Sequence, residues 1–198
     1  MDGRAGWRGR ARAAVRDEVS AHAWALFAQQ GYEATTVEQI AEAAGMSPRT
    51  FFRYVASKDE LLLERLLEHG PAVADRLAGA APDLPAWRAL RDALDAVVVP
   101  QDADAAQVRP LVTMLRDEPA VRAATAERRH RWEQLLAPVL AARLSVPGAA
   151  VTADDARVLA LAGAALACLD AAQLAWVGRP AERLADLLDA AMGAVSPL

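Results

Sequence analysis

The stretch from Thr36 to Glu60 constrains this chain more than any other, because it carries several helix starts and stops in quick succession. Thr36 stands three residues ahead of Gln39 and just before Val37, Ile40, Ala41 and Ala44, the pattern of a capping box opening a helix. Gly45 then supplies a residue that tolerates the left-handed conformation of a helix end. Directly afterwards Ser47 offers an N-cap oxygen and Pro48 occupies the first helical position, where its missing N–H is harmless. Ser57 with Glu60 makes a second capping-box pattern, ahead of Leu61, Leu62, Leu66 and Leu67. Neither a strand nor one continuous helix survives such punctuation. The segment is committed to two helices of about two turns, a tight turn between them, and a longer helix behind.

Composition extends the helical reading to the whole chain. Of the 198 residues 54% are hydrophobic, but Ala supplies much of this, and aromatic residues are only 5%. Ala is the strongest helix former and the strand-favouring types are scarce, so the expected class is all-α. Before the punctuated stretch, Val15, Val19, Ala23, Leu26 and Phe27 recur at helical spacing over residues 10–30, and Gly31 stops them. The helix opened by Ser57 is expected to run to about Arg76. After the breakers between Gly79 and Pro85, further helices are expected over residues 85–99, 103–116, 119–144, 153–177 and 180–195. That makes about nine helices: an N-terminal three-helix unit within residues 10–70 and a helical domain over 71–198. Residues 1–9, rich in Gly and Arg, read as a flexible basic arm.

The net charge of −4 argues neither for nor against a polyanionic partner, because the local distribution matters more than the total. Eight basic and eight acidic residues balance through Glu60, so the excess of acid lies beyond it. Cys168 is the single cysteine and has no internal disulfide partner, and no charged segment followed by an apolar one opens the chain, so the cytoplasm is the expected compartment. The apolar run 158–177 approaches membrane-spanning length. Asp170 and Gln173 interrupt it, and a packed internal helix is expected instead, with no membrane partner. His22, His69 and His130 are far apart, Cys168 has no evident base, and no phosphate-binding or dinucleotide-binding loop occurs. No enzymatic activity and no cofactor are expected.

Two short helices around a Gly turn are the ingredients of a helix-turn-helix. Ile40, Ala41, Ala44 and Phe51 can pack the pair together, leaving Ser47, Arg49, Thr50 and Arg53 to face outward. Their hydroxyl and guanidinium groups suit phosphates and base edges in a DNA major groove.

In order and spacing, Leu26-Phe27, Gly31-Tyr32, Thr35-Thr36-Val37, Ile40-Ala41, Ala44-Gly45, Ser47-Pro48-Arg49-Thr50-Phe51-Phe52-Arg53-Tyr54 and Ser57-Lys58-Asp59-Glu60-Leu61 resemble the N-terminal domain of the tetracycline-repressor (TetR) family. The resemblance spans roughly Val15 to Leu62, and the Ser47–Tyr54 run is similar to actinobacterial members, some of which sense molecules like acyl-CoA. It implies a sequence-specific transcriptional regulator, a repressor released from a palindromic double-stranded operator by a small apolar or amphipathic effector. The alternative is a ligand-binding helical scaffold that has lost DNA binding.

By this resemblance the DNA-contacting set is Thr36, Ser47, Pro48, Arg49, Thr50, Phe52, Arg53, Tyr54 and Lys58, with Thr36, Tyr54 and Lys58 at phosphate-contacting positions. Phe52 stands where many relatives carry Tyr, and Val55 where they carry Phe. Arg49 can pair with guanine or serve a phosphate, and both roles stay open. Arg4, Arg8, Arg10 and Arg12 of the arm can reach DNA or serve as a solubilising tail. The family pairs its last two helices across a two-fold axis, which implies a homodimer through about residues 153–195, where Gly163, Ala164, Ala167 and Ala171 allow close approach. Trp87, Met114, Trp132, Leu136, Cys168 and Trp176 are candidates to line an effector pocket or to be plain core. Asp170 and Gln173 are candidate polar contacts to the effector, or a solvated helix face.

Overall fold

The computed structural model of the protein describes residues 3–197, and side chains at residue 7 and from residue 9 onward. The described residues fold into eleven α-helices and one 3-10 turn, with no strand. In order these are α1 (Gly3–Gln30), α2 (Val37–Ala43), α3 (Pro48–Tyr54), α4 (Lys58–Leu67), α5 (Gly70–Gly79), α6 (Ala86–Ala93), α7 (Asp95–Ala103), α8 (Ala105–Asp117), the 3-10 turn Pro119–Val121, α9 (Arg122–Leu144), α10 (Ala156–Val177) and α11 (Leu184–Val195).

The all-α class is the one expected from composition, and the two additional helices come from two breaks. The helix expected over 57–76 is divided ahead of Gly70-Pro71, because Pro71 has no N–H for the preceding turn and its ring crowds that turn. The helix expected over 85–99 is divided at Leu94, whose carbonyl accepts from both Val97 (2.9 Å) and Val98 (3.1 Å) and tightens the chain there. Pro100, expected to break the chain, instead lies inside α7. It removes only the N–H that would have reached Ala96. At the other end of the chain, α1 begins at Gly3, so the residues expected as an irregular arm continue the helix. Arg10 and Arg12 are exposed on it, while the side chains of Arg4 and Arg8 lie outside the described residues.

The chain divides into two compact units, one formed by the chain through Leu66 together with Met114–Thr125, the other by Leu67–Thr113 and Ala126–Leu198. The linear division at residue 70 does not anticipate the segment around Glu118 in the first unit. Within that unit α1 packs on α2 and α3. Its core holds Val19, Ala23, Phe27, Tyr32, Ile40, Phe51, Val55, Leu61 and Leu62, all buried.

The second unit has its own core, in which α10 pairs with α11 and both pack on α6. By length and composition α10 could cross a membrane. Val158, Ala162, Leu166, Leu169 and Trp176 on it are nevertheless buried in the unit's own core. α11 starts at Leu184, four residues later than expected, because the carboxylate of Asp102 on α7 accepts the N–H groups of Leu184 (2.7 Å) and Ala185 (3.1 Å) and so caps it there. Arg109 closes the loop before it, donating to the carbonyls of Arg179, Pro180 and Glu182 at 3.1 to 3.3 Å.

Candidate nucleic-acid interface

The helices of the first unit are set by the caps anticipated from the sequence. Thr36 Oγ1 accepts from Gln39 N (3.2 Å) while Gln39 Oε1 accepts from Thr36 N (2.9 Å), closing a reciprocal box at the start of α2. Gly45 takes φ +66°, a left-handed conformation natural to glycine, and turns the chain into Ser47. Ser47 Oγ then accepts from Thr50 N at 3.2 Å, with Pro48 at the first helical position of α3. At α4 the second box is altered. Ser57 Oγ accepts from Glu60 N as expected (3.1 Å), but the Glu60 carboxylate reaches one residue further back, to Ala56 N (2.5 Å).

This places α3 with Phe51 buried and Pro48, Arg49, Phe52 and Arg53 exposed on one outer face. Arg49 makes no hydrogen bond or ion pair among the described residues. Thr50 is half-buried, its hydroxyl 3.0 Å from that of Ser47. Phe52 is 56% exposed, its ring standing edge-on to Phe51 at 5.5 Å. Arg53 donates to the Tyr54 hydroxyl at 3.1 Å and lies over its ring.

Two guanidiniums from α1 hold the far end of α3. Arg12 donates to the Arg53 carbonyl (3.1 Å) and Arg16 to the Tyr54 carbonyl (2.8 Å), a favourable placement of positive charge at a helix C-terminus. Arg16 also pairs with Glu60 (2.9 Å) and Glu64 on α4. The Glu60 carboxyl is held below its ordinary range, first by the Ala56 N–H and then by Arg16.

Lys58 faces inward in part. Its ammonium donates to the carbonyls of Tyr32 (2.9 Å) and Thr35 (3.1 Å) and sits 4.2 Å from the centre of the Tyr32 ring. The α1–α2 turn is thereby clamped from α4. Glu118 clamps it from the other side, its carboxylate accepting the N–H groups of Tyr32 (2.7 Å) and Glu33 (2.9 Å). Arg16 and Glu118 were not singled out from the sequence. Their partners lie far along the chain, and nothing local marks them.

Of the pocket candidates, Trp87, Trp132, Leu136, Cys168 and Trp176 come together in the second unit's core, whereas Met114 lies in the first unit. Asp170 is paired with Arg128 and Arg129 of α9, and Gln173 with Gln101 of α7 (2.9 Å), so both tie helices together rather than forming a solvated face. The Cys168 thiol is pushed up by burial.

The model of bacterial regulatory proteins of the tetR family matches residues 21–64, and that of the MftR C-terminal domain matches residues 84–197, more than half of the chain. The chain belongs to the TetR family. Its N-terminal part is 55% identical over 58 residues to the HTH-type transcriptional regulator TcmR of Streptomyces glaucescens, which covers 29% of this chain and only 26% of TcmR. A protein of Mycobacterium tuberculosis named as the mycofactocin biosynthesis transcriptional regulator MftR is 28% identical over 139 residues, 68% of each chain.

Among solved structures, the fatty acid degradation regulator FadR of Bacillus halodurans superposes with a TM-score of 0.64 at 20% identity, over 91% of this chain and 94% of that one. FadR of Bacillus subtilis, solved with stearoyl-CoA, gives 0.62 at 18% identity, over 91% and 98%. At such identities these likenesses speak for the fold. As a TetR-family member the chain is a transcriptional regulator with a DNA-binding helix-turn-helix, formed by α2 and α3.

Proposed function

We propose that the protein is a homodimeric repressor that occupies a palindromic operator through two copies of α3 and leaves it when a small amphipathic effector binds the second unit. The observation that carries this reading is the outer face of α3. Arg49 is exposed and unengaged, Phe52 is an exposed ring beside it, and Arg53 follows on the same face, over a helix whose two ends are both capped.

An unpaired guanidinium suits guanine O6 and N7 or a phosphate, and an exposed phenyl suits a thymine methyl. Thr36, Ser47, Pro48, Thr50, Tyr54 and Lys58 surround this face and fix the register on the backbone. With two donors already on carbonyls, Lys58 keeps one N–H for a phosphate.

Dimerisation is supported by α10. Leu159 and Leu174 are about half exposed, and with Ala160, Ala167 and Ala171 they share one helical face that no element of the same chain covers. Two heads so joined can address half-sites about one helical turn apart. The repressor and effector parts rest on relatives. The Thermus thermophilus FadR structure is described as a TetR-family repressor with lauroyl-CoA, and SmeT as the repressor of an efflux pump.

The test is a mobility shift on DNA upstream of the protein's own gene. Native protein shifts it, and Arg49→Ala weakens binding about tenfold to a hundredfold. No shift with native protein favours the scaffold alternative.

A further inference from the structure

On α9, Arg128, Trp132, Leu136 and Leu140 recur every fourth residue and all four are buried. Three of these suit an apolar core, and Arg128, only 8% exposed, does not. Its Nη2 donates to Asp170 of α10, and the same carboxylate also accepts from Arg129. Two guanidiniums therefore share one carboxylate, and the cluster keeps one positive charge in excess.

Two donors in the same place are also left over. Arg128 Nε and Trp132 Nε1 are buried and have no hydrogen-bond partner among the described residues. The guanidinium carbon lies 5.3 Å from the centre of the Trp132 ring, so both N–H groups serve one neighbourhood. Beside the indole nitrogen there is a notch: a Cβ added at Gly70 would stand 2.7 Å from Nε1 and 3.1 Å from Leu135 Cδ1, and glycine leaves that volume open.

A buried excess charge and a buried unpaired donor each carry a desolvation cost that only a matching partner repays. One group answers both requirements here: an oxyanion, which brings a single negative charge and several acceptor lone pairs. Water would satisfy the N–H groups but not the charge. The flanking residues Leu136, Leu166 and Leu169 are apolar and buried.

We infer that Arg128 Nε and Trp132 Nε1 form an oxyanion-recognising end of the effector site, taking the carboxylate or phosphoryl headgroup of a molecule whose remainder is apolar. The inference rests on the effector response proposed above and adds the chemistry of the headgroup.

The test titrates the full-length protein by calorimetry with hexanoate, decanoate and dodecanoate, with the alcohols of matching chain length, and with decyl phosphate, all below the concentrations at which they aggregate. At least one oxyanion binds about tenfold or more tightly than its matched alcohol, as a charge-assisted pair of hydrogen bonds requires. Whichever headgroup binds more tightly names the natural one. Trp132→Phe keeps the ring and removes the N–H, and it cuts this preference several-fold while leaving alcohol affinity within about twofold. Arg128→Gln abolishes the preference; where that variant fails to fold, Trp132→Phe carries the test.

Equal affinity for acid and alcohol at every length, no binding by any oxyanion, or a preference unchanged in Trp132→Phe overturns the inference. Operator release is measured separately. Oxyanion-selective binding that leaves DNA bound supports this site and overturns the effector reading, whereas release by neutral molecules with no oxyanion preference does the reverse.

Discussion

Tyr32 engages every polar group it has. Its N–H goes to Glu118, its carbonyl accepts from Lys58, and its hydroxyl donates to Asp59, while the ring lies under the Lys58 ammonium and against Phe27. Burial, and then the bond to Asp59, hold its phenol well above the ordinary range. Lys58→Met removes two charge-assisted bonds and the ring contact, and should lower stability by about 1–3 kcal/mol in urea unfolding. A variant of native stability with weakened operator binding would instead make Lys58 chiefly a phosphate ligand.

Next to Tyr32, Gly31 is needed twice over. It adopts φ +88°, and a Cβ there would stand 2.5 Å from Glu118 Oε1. Gly45 shares the left-handed conformation but has open space around it. Gly45→Ala should cost about 1–2 kcal/mol from backbone strain, and Gly31→Ala more. Thermal melting checks the order, and Glu118→Ala should relieve part of the second penalty.

Glu60 adds a pH dependence. Its carboxyl is held low in the folded state, so the carboxylate stabilises the unit fully above the ordinary Glu value of about 4.3. That contribution disappears as pH falls through the lowered folded value. Glu60→Gln should flatten the acid limb of a stability profile between these limits.

At the level of elements, what the sequence discloses depends on how local the cause is. α2 and α3 are bounded by caps within three residues of the helix they start, and their limits could be placed from the sequence because Thr36, Gln39, Gly45, Ser47 and Pro48 act on their own neighbours. The start of α11 is set by Asp102, and the path of its preceding loop by Arg109. Both act across more than sixty residues, and no spacing rule reaches them. Arg128 lies between these cases. An arginine in a four-residue stripe with Trp132, Leu136 and Leu140 is visible in the sequence as an oddity, but its partner Asp170 was visible only as an isolated polar residue.

The helical start of α1 bears on the basic N-terminal segment. Removing residues 3–9 should weaken operator binding and reduce its salt slope, measured by titration at several ionic strengths. An unchanged slope would make the extension solvated surface only.

For the molecule as a whole, the uncovered face of α10 makes the strongest claim. Leu159→Arg together with Leu174→Arg puts charge on a face that the proposed pairing buries, and should yield monomers in sedimentation experiments and loss of operator binding, with helical content kept. A variant that stays dimeric would move the interface elsewhere.

The membership of Met114–Thr125 in the first unit also bears on biosynthesis. A ribosome delivers the DNA-binding helices early, but the carboxylate that clasps their first turn is encoded some eighty residues later. Until Glu118 has emerged, the nascent head has two backbone donors without their charged acceptor. It becomes a finished reader of DNA only once much of the regulatory part has been made.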